Sequence, residues 1–67
     1  MTASEFFNEW STKYANLELT VREVTSSFEI NKQTATAWLQ GFVAEGKANA
    51  RYYTGSRVTV YTLVKGN

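Results

Sequence analysis

Residues 20–46 read TVREVTSSFEINKQTATAWLQGFVAEG, and their spacing decides the fold. Thr20 and Glu23 stand three apart, the capping-box spacing, so a helix is expected to start at Val21. Val21, Val24 and Phe28 fall at i, i+3 and i+7 and turn one face inward, with the helix ending by about Phe28. A tight turn through Glu29 and Ile30 leads to Asn31, a strong N-cap residue. From Lys32 to about Glu45 a longer helix carries Ala35, Trp38, Leu39, Phe42 and Val43 on one side. Gly46 sits where a left-handed residue closes such a helix. Gly41, inside it, costs about 1 kcal/mol against alanine, which suggests that another backbone comes close there.

On the N-terminal side, Thr2 and Glu5 repeat the capping-box spacing. Phe6, Phe7, Trp10, Tyr14 and Leu17 then fall within an arc of about 100°, the width of a core-facing stripe, while Asn8, Glu9 and Thr12 lie away from it. A first helix is therefore expected over about residues 3–16, with Asn16 closing it; aromatics of the stripe that reach the surface could serve a dimer. Leu17-Glu18-Leu19 alternates like a short strand. On the C-terminal side the period changes. Residues 48–53 and 57–64 are rich in β-branched and aromatic side chains, and Thr54-Gly55-Ser56 joins them with a glycine that marks a hairpin turn. Lys65-Gly66-Asn67 is expected to fray. The class is α+β: three helices, a short strand after the first, and a C-terminal two-stranded hairpin over 48–64. No linker, repeat or low-complexity stretch divides residues 1–67, so one domain is expected.

The chain has 67 residues, no cysteine, no histidine, and 15% aromatic residues. A domain of this size buries only about 60% of its unfolded surface. With neither disulfide nor thiolate metal site available, large aromatic side chains must fill the core. No cofactor or metal is expected. The same absences argue against an enzyme, as does the want of a glycine-rich phosphate loop. Glu5 and Glu9 form an i, i+4 carboxylate pair, but on the polar face of the first helix, where simple solvation explains them. No apolar run approaches the roughly 18 residues of a membrane span, and Met1 to Glu5 lack the basic and apolar segments of a signal peptide, so a cytoplasmic location is the default expectation.

Net charge is only +1, yet it is unevenly spread. Residues 1–31 hold Lys13 and Arg22 against five glutamates, a net of −3, and residues 32–67 hold five basic residues against Glu45, a net of +4. Such polarity can present a cationic side to a polyanion; ordinary solvated charge explains it equally well.

The order helix, short strand, helix, tight turn, helix, hairpin resembles a winged helix-turn-helix domain. Val24, Phe28, Ile30, Ala35 and Trp38 have the apolar spacing that lets two helices cross at a short turn, with Thr25 as the small residue after Val24. The stretch Ile30-Asn31-Lys32-Gln33-Thr34-Ala35 is similar to the turn and first recognition-helix turn of many bacterial regulators, and Leu39, Phe42, Glu45 and Gly46 to the end of that helix before the wing. The resemblance spans residues 3–64 and, in size and layout, extends to small single-domain regulators of phages, plasmids and fimbrial operons. One departure is Glu29, which stands where the turn usually has glycine and must tolerate a conformation that a Cβ disfavours.

The resemblance implies binding of double-stranded DNA, with the third helix in the major groove. Gln33, Thr36, Ala37 and Gln40 lie opposite its apolar stripe; glutamine can pair with adenine, and threonine and alanine methyls can touch a thymine methyl. Asn31, Lys32 and Thr34 open the helix, where free backbone N–H groups and the dipole favour phosphate. Arg51 and Arg57 bracket the hairpin turn and can reach phosphate or a minor groove. Tyr53 can offer a hydroxyl to phosphate, although cross-strand packing accounts for at least one of Tyr52 and Tyr53. Arg22 is a further backbone candidate, whereas Lys47 and Lys65 can be mere solubilising charges. About four or five phosphate contacts correspond to a salt slope of about −4, so a monomer would bind weakly. A second copy or a partner protein on the DNA would supply the rest. The polar, uncharged outer face of the third helix also suits the rival reading, a winged-helix module that binds protein as an adaptor or phage-type inhibitor. Neither a membrane nor a small-molecule substrate is expected as a partner.

Overall fold

A computed structural model describes residues 1–64. The elements are α1 (Ala3–Lys13), α2 (Val21–Phe28), α3 (Lys32–Ala44), β1 (Ala48–Tyr53) and β2 (Val58–Leu63). Three helices followed by an antiparallel hairpin make an α+β fold consistent with winged-helix architecture. The frayed tail expected at Lys65-Gly66-Asn67 lies outside the described residues.

Local chemistry accounts for most helix boundaries. Both capping boxes form: the Glu5 N–H donates to Thr2 Oγ1 at 3.1 Å and Thr2 N–H to Glu5 Oε1 at 2.8 Å, and Thr20 and Glu23 repeat the exchange at 3.2 and 3.3 Å. The Thr2 backbone N–H, and then its side chain, hold the Glu5 carboxyl below its usual pKa, because the charged form is the better acceptor. Asn31 caps α3 by accepting from Gln33 N–H at 2.7 Å. At the other end Gly46, at φ 79°, donates to Val43 O, and Lys47 N–H reaches Phe42 O at 2.8 Å, which is a Schellman closure. Glu29 adopts φ 54°, ψ 45°, so the turn between α2 and α3 keeps the left-handed conformation and places it on a residue with a Cβ.

The first helix is shorter than its apolar pattern. It ends at Lys13, three residues before Asn16, and Tyr14 is its C-cap. Leu17 N–H bonds to Tyr14 O and the Trp10 indole N–H reaches Leu17 O at 3.4 Å, so the chain turns back instead of continuing. Leu17 therefore leaves the stripe and is 53% exposed, while Tyr14 stays edge-on to Phe28 at 6.1 Å between ring centroids. The expected strand at 17–19 shrinks to one bridge: Leu19 N–H donates to Tyr61 O at 2.9 Å, and Leu19 O accepts from Tyr61 N–H at 2.7 Å. That bridge requires Leu19 at the β2 edge, and a fourth turn of α1 would carry the chain past it.

Phe6 joins the layers. Its ring lies 4.9 Å from Phe28, 5.8 Å from Trp38 and 6.1 Å from Phe42, so one α1 side chain meets both other helices. Trp10, Leu19, Val24, Ala35, Leu39, Ala48 and Tyr61 complete the buried core, which among the described residues contains no polar or charged side chain. In the hairpin Ala48 pairs with Leu63, Ala50 with Tyr61 and Tyr52 with Thr59 on the face toward the helices. Asn49, Arg51 and Tyr53 face away, opposite Thr62, Val60 and Val58. One glycine expectation fails. A Cβ built on Gly41 would meet nothing within 4 Å, so no backbone packs there. The hairpin turn that Gly55 marks forms over residues 54–57, and the residue that takes a left-handed conformation in it is Arg57, at φ 56°. That positive φ falls at the last position of the four-residue loop, immediately before Val58, where the sequence supplies arginine.

Candidate nucleic-acid interface

The capping of α3 by Asn31 fixes which side chains face out. With Ala35, Leu39 and Phe42 buried, Gln33, Ala37 and Gln40 are left exposed and Thr36 half-exposed. Together with Lys32, these four line one open depression along the helix. The groups expected to read bases thus share a surface with the first basic residue of the helix. Asn31 commits its side-chain oxygen to the cap, so only its amide N–H₂ is left to donate outward. Thr34 is half-buried and does not line the depression.

Thr36 and Gln40 also belong to a second hollow, a cleft of about 390 Å³ between α3, the start of α2 and the wing. Arg22 and Arg57 stand on its walls with Thr20, Val21, Val58, Thr59 and Tyr61. Arg22 is brought there because the Thr20 capping box fixes the first turn of α2. Arg57 is brought there by its left-handed backbone at the end of the wing loop. Two residues far apart in sequence, 22 and 57, thereby flank the exposed face of α3. Among the described residues, Arg22, Lys32, Arg51 and Arg57 form no salt bridge, whereas Lys13 pairs with Glu9 at 3.3 Å and Lys47 with Glu45 at 3.1 Å. Unpaired guanidinium and ammonium groups keep their full donor capacity for an anion.

Arg51 and Tyr53 do not line either hollow. They sit two apart on the outward face of β1, where the Arg51 guanidinium lies 5.9 Å from the centre of the Tyr53 ring. Tyr53 is 40% exposed and Tyr52, on the opposite face, 58%. Neither ring has the aromatic cross-strand partner that would bury it: Tyr52 stands opposite Thr59 and Tyr53 opposite Val58. Reasoning from the sequence passed over Thr20, Thr59 and Tyr61 as cleft residues. The period-2 alternation of β2 carried a signal for the last two, since Thr59, Tyr61 and Leu63 share a face. Thr20 carried none beyond its role as a cap.

Among the described residues no group of three or more His, Cys, Asp or Glu side chains converges as a metal site would require. No helix there is long and apolar enough to cross a membrane. Comparison with protein families, with curated proteins and with solved structures finds no match to this chain.

Proposed function

We propose that this protein binds double-stranded DNA with sequence preference, as a small transcriptional regulator, laying α3 in the major groove and the wing against backbone or minor groove. One observation carries the reading: Gln33, Thr36, Ala37 and Gln40 form a continuous exposed face that runs into a cleft flanked by Arg22 and Arg57. An α-helix fits the major groove, and amide and methyl groups on its outer face match the donor, acceptor and methyl pattern of base edges. Cations beside such a face supply attraction that does not depend on sequence. In this reading Lys32, Asn31 and Thr34 meet phosphate at the start of α3, while Arg51 and Tyr53 meet it only if DNA curves past the outward face of the wing.

The test is retardation of random-sequence duplex at low ionic strength, followed by selection of preferred sites from random pools. Wild type is expected to retard the duplex, and Arg57→Ala to weaken binding to all sequences and reduce the salt slope by about 1. No retardation even at low salt removes the DNA reading. The polar, uncharged face of α3 would then point to a protein partner instead, on the same fold.

A further inference from the structure

Antiparallel pairs alternate between those that exchange ladder hydrogen bonds and those that do not. Tyr61 spends its N–H and C=O on Leu19, so its pair with Ala50 is a non-bonded one. Arg51↔Val60 and Tyr53↔Val58 therefore carry the ladder, and the bond from Val64 N–H to Lys47 O at 3.0 Å continues the same parity. It follows that Ala50 and Tyr52 aim their N–H and C=O groups at the outer edge of β1. The sheet order is β1-β2 with Leu19 beyond β2, so none of the described residues pairs with that edge. Residues 49–53 are all exposed. Edges of this kind are usually blunted by proline, a bulge or an inward charge. The chain has no proline, the six pairs run without a bulge, and the edge-directed residues are alanine and tyrosine.

We propose that the outer edge of β1 pairs antiparallel with the same edge of a second copy of this chain, about a two-fold axis at Tyr52. An antiparallel edge is its own complement under a two-fold rotation. The side chains select the register. An axis at Ala50 sets Tyr52 against Ala48 of the second copy, which is buried and leaves no surface for the ring. An axis at Arg51 opposes two guanidinium groups directly, an unfavourable pairing. An axis at Tyr52 sets Ala50 against Thr54, brings the two exposed Tyr52 rings onto one face, and places Arg51 opposite the Tyr53 ring of the other copy. That last contact repeats between copies the Arg51–Tyr53 approach already present within one. The paired stretch is short, so the interface belongs below about 1,200 Å² and the dimer is weak and concentration-dependent.

The pairing needs no nucleic acid, so it is tested on the free protein and stands or falls apart from DNA binding. In sedimentation equilibrium between about 10 μM and about 1 mM, where weak dimers populate, the mass is expected to climb from 7.6 kDa toward twice that value. Tyr52→Pro removes an edge-directed N–H while leaving the β1–β2 ladder its bonds, and it is expected to stay monomeric with unchanged helical circular dichroism. Because the chain has no cysteine, Tyr52→Cys carries a single thiol. At the axis the Cα atoms would lie about 5.5 Å apart, within disulfide range, so mild oxidation should give a covalent dimer. Thr62→Cys, on the other strand, should not. A wild type monomeric throughout the range overturns the proposal. So does equal cross-linking at the two positions, or a dimer whose Tyr52→Cys form resists oxidation.

Discussion

Replacing Arg57 with glycine should make the protein more stable and a poorer DNA binder at once. Arg57 holds φ 56° at the end of the wing loop, where a residue with a Cβ is strained by roughly 1–2 kcal/mol. Glycine relieves that strain but gives back about 0.5–1 kcal/mol through the freedom it adds to the unfolded chain. The net gain is about 0.5–1 kcal/mol, which for a domain of this size raises the melting temperature by roughly 2–8 °C. Glu29, at φ 54°, is the internal control: Glu29→Gly should gain the same stability with no loss of DNA binding, since its side chain lines neither hollow of the proposed interface. Arg57→Lys keeps the charge and the strain, so it should leave the melting temperature unchanged and retain most of the affinity. The assays are thermal unfolding by circular dichroism and fluorescence anisotropy with duplex DNA over a salt series. Lower stability in both glycine variants would refute the strain argument. Unchanged affinity and salt slope in Arg57→Gly would remove Arg57 from the interface.

Other substitutions probe separate links. Gly41→Ala should stabilise α3 by about 1 kcal/mol, measured by urea unfolding, because a Cβ there meets open space. Glu5 has its carboxyl held below the usual pKa by Thr2, so its contribution to α1 is complete above the ordinary carboxylate range and is lost as pH falls through the depressed value. Glu5→Ala should accordingly lower the melting temperature at pH 7 and leave a smaller difference from wild type near pH 3; an equal difference at both would deny the capping box its charge. Gln33→Ala or Gln40→Ala should cost about 1–3 kcal/mol of discrimination at one base position while sparing affinity for random duplex. Loss of equal size on every sequence would mean that α3 does not read bases.

Where the chain speaks locally, the sequence was legible. The Thr2/Glu5 and Thr20/Glu23 boxes, the Asn31 cap and the Gly46 closure each satisfy backbone groups within a few residues, and all four form as their spacing requires. The inward faces of α2 and α3 follow from a 3.6-residue period that a helix imposes on any side chain. The base-facing candidates of α3 were legible for the same reason: once Ala35, Leu39 and Phe42 are inside, Gln33, Ala37 and Gln40 can only be outside.

The misreadings fall where a distant residue outbids the local pattern. Leu17 fits the α1 stripe on a wheel, but the Leu19–Tyr61 bridge, 42 residues apart in the chain, ends the helix before the pattern does. Gly41 read as a place where another backbone comes close, and none does, because available space depends on what the rest of the chain brings near. By itself, then, the sequence determined the helices, their caps, their buried sides and the hairpin, since these rest on hydrogen bonds and periodicities a few residues long. Only the tertiary structure decided where α1 stops, that Arg57 takes the left-handed turn, and that Arg22 and Arg57 flank the same face of α3. Those outcomes depend on contacts between segments that no local pattern brings together.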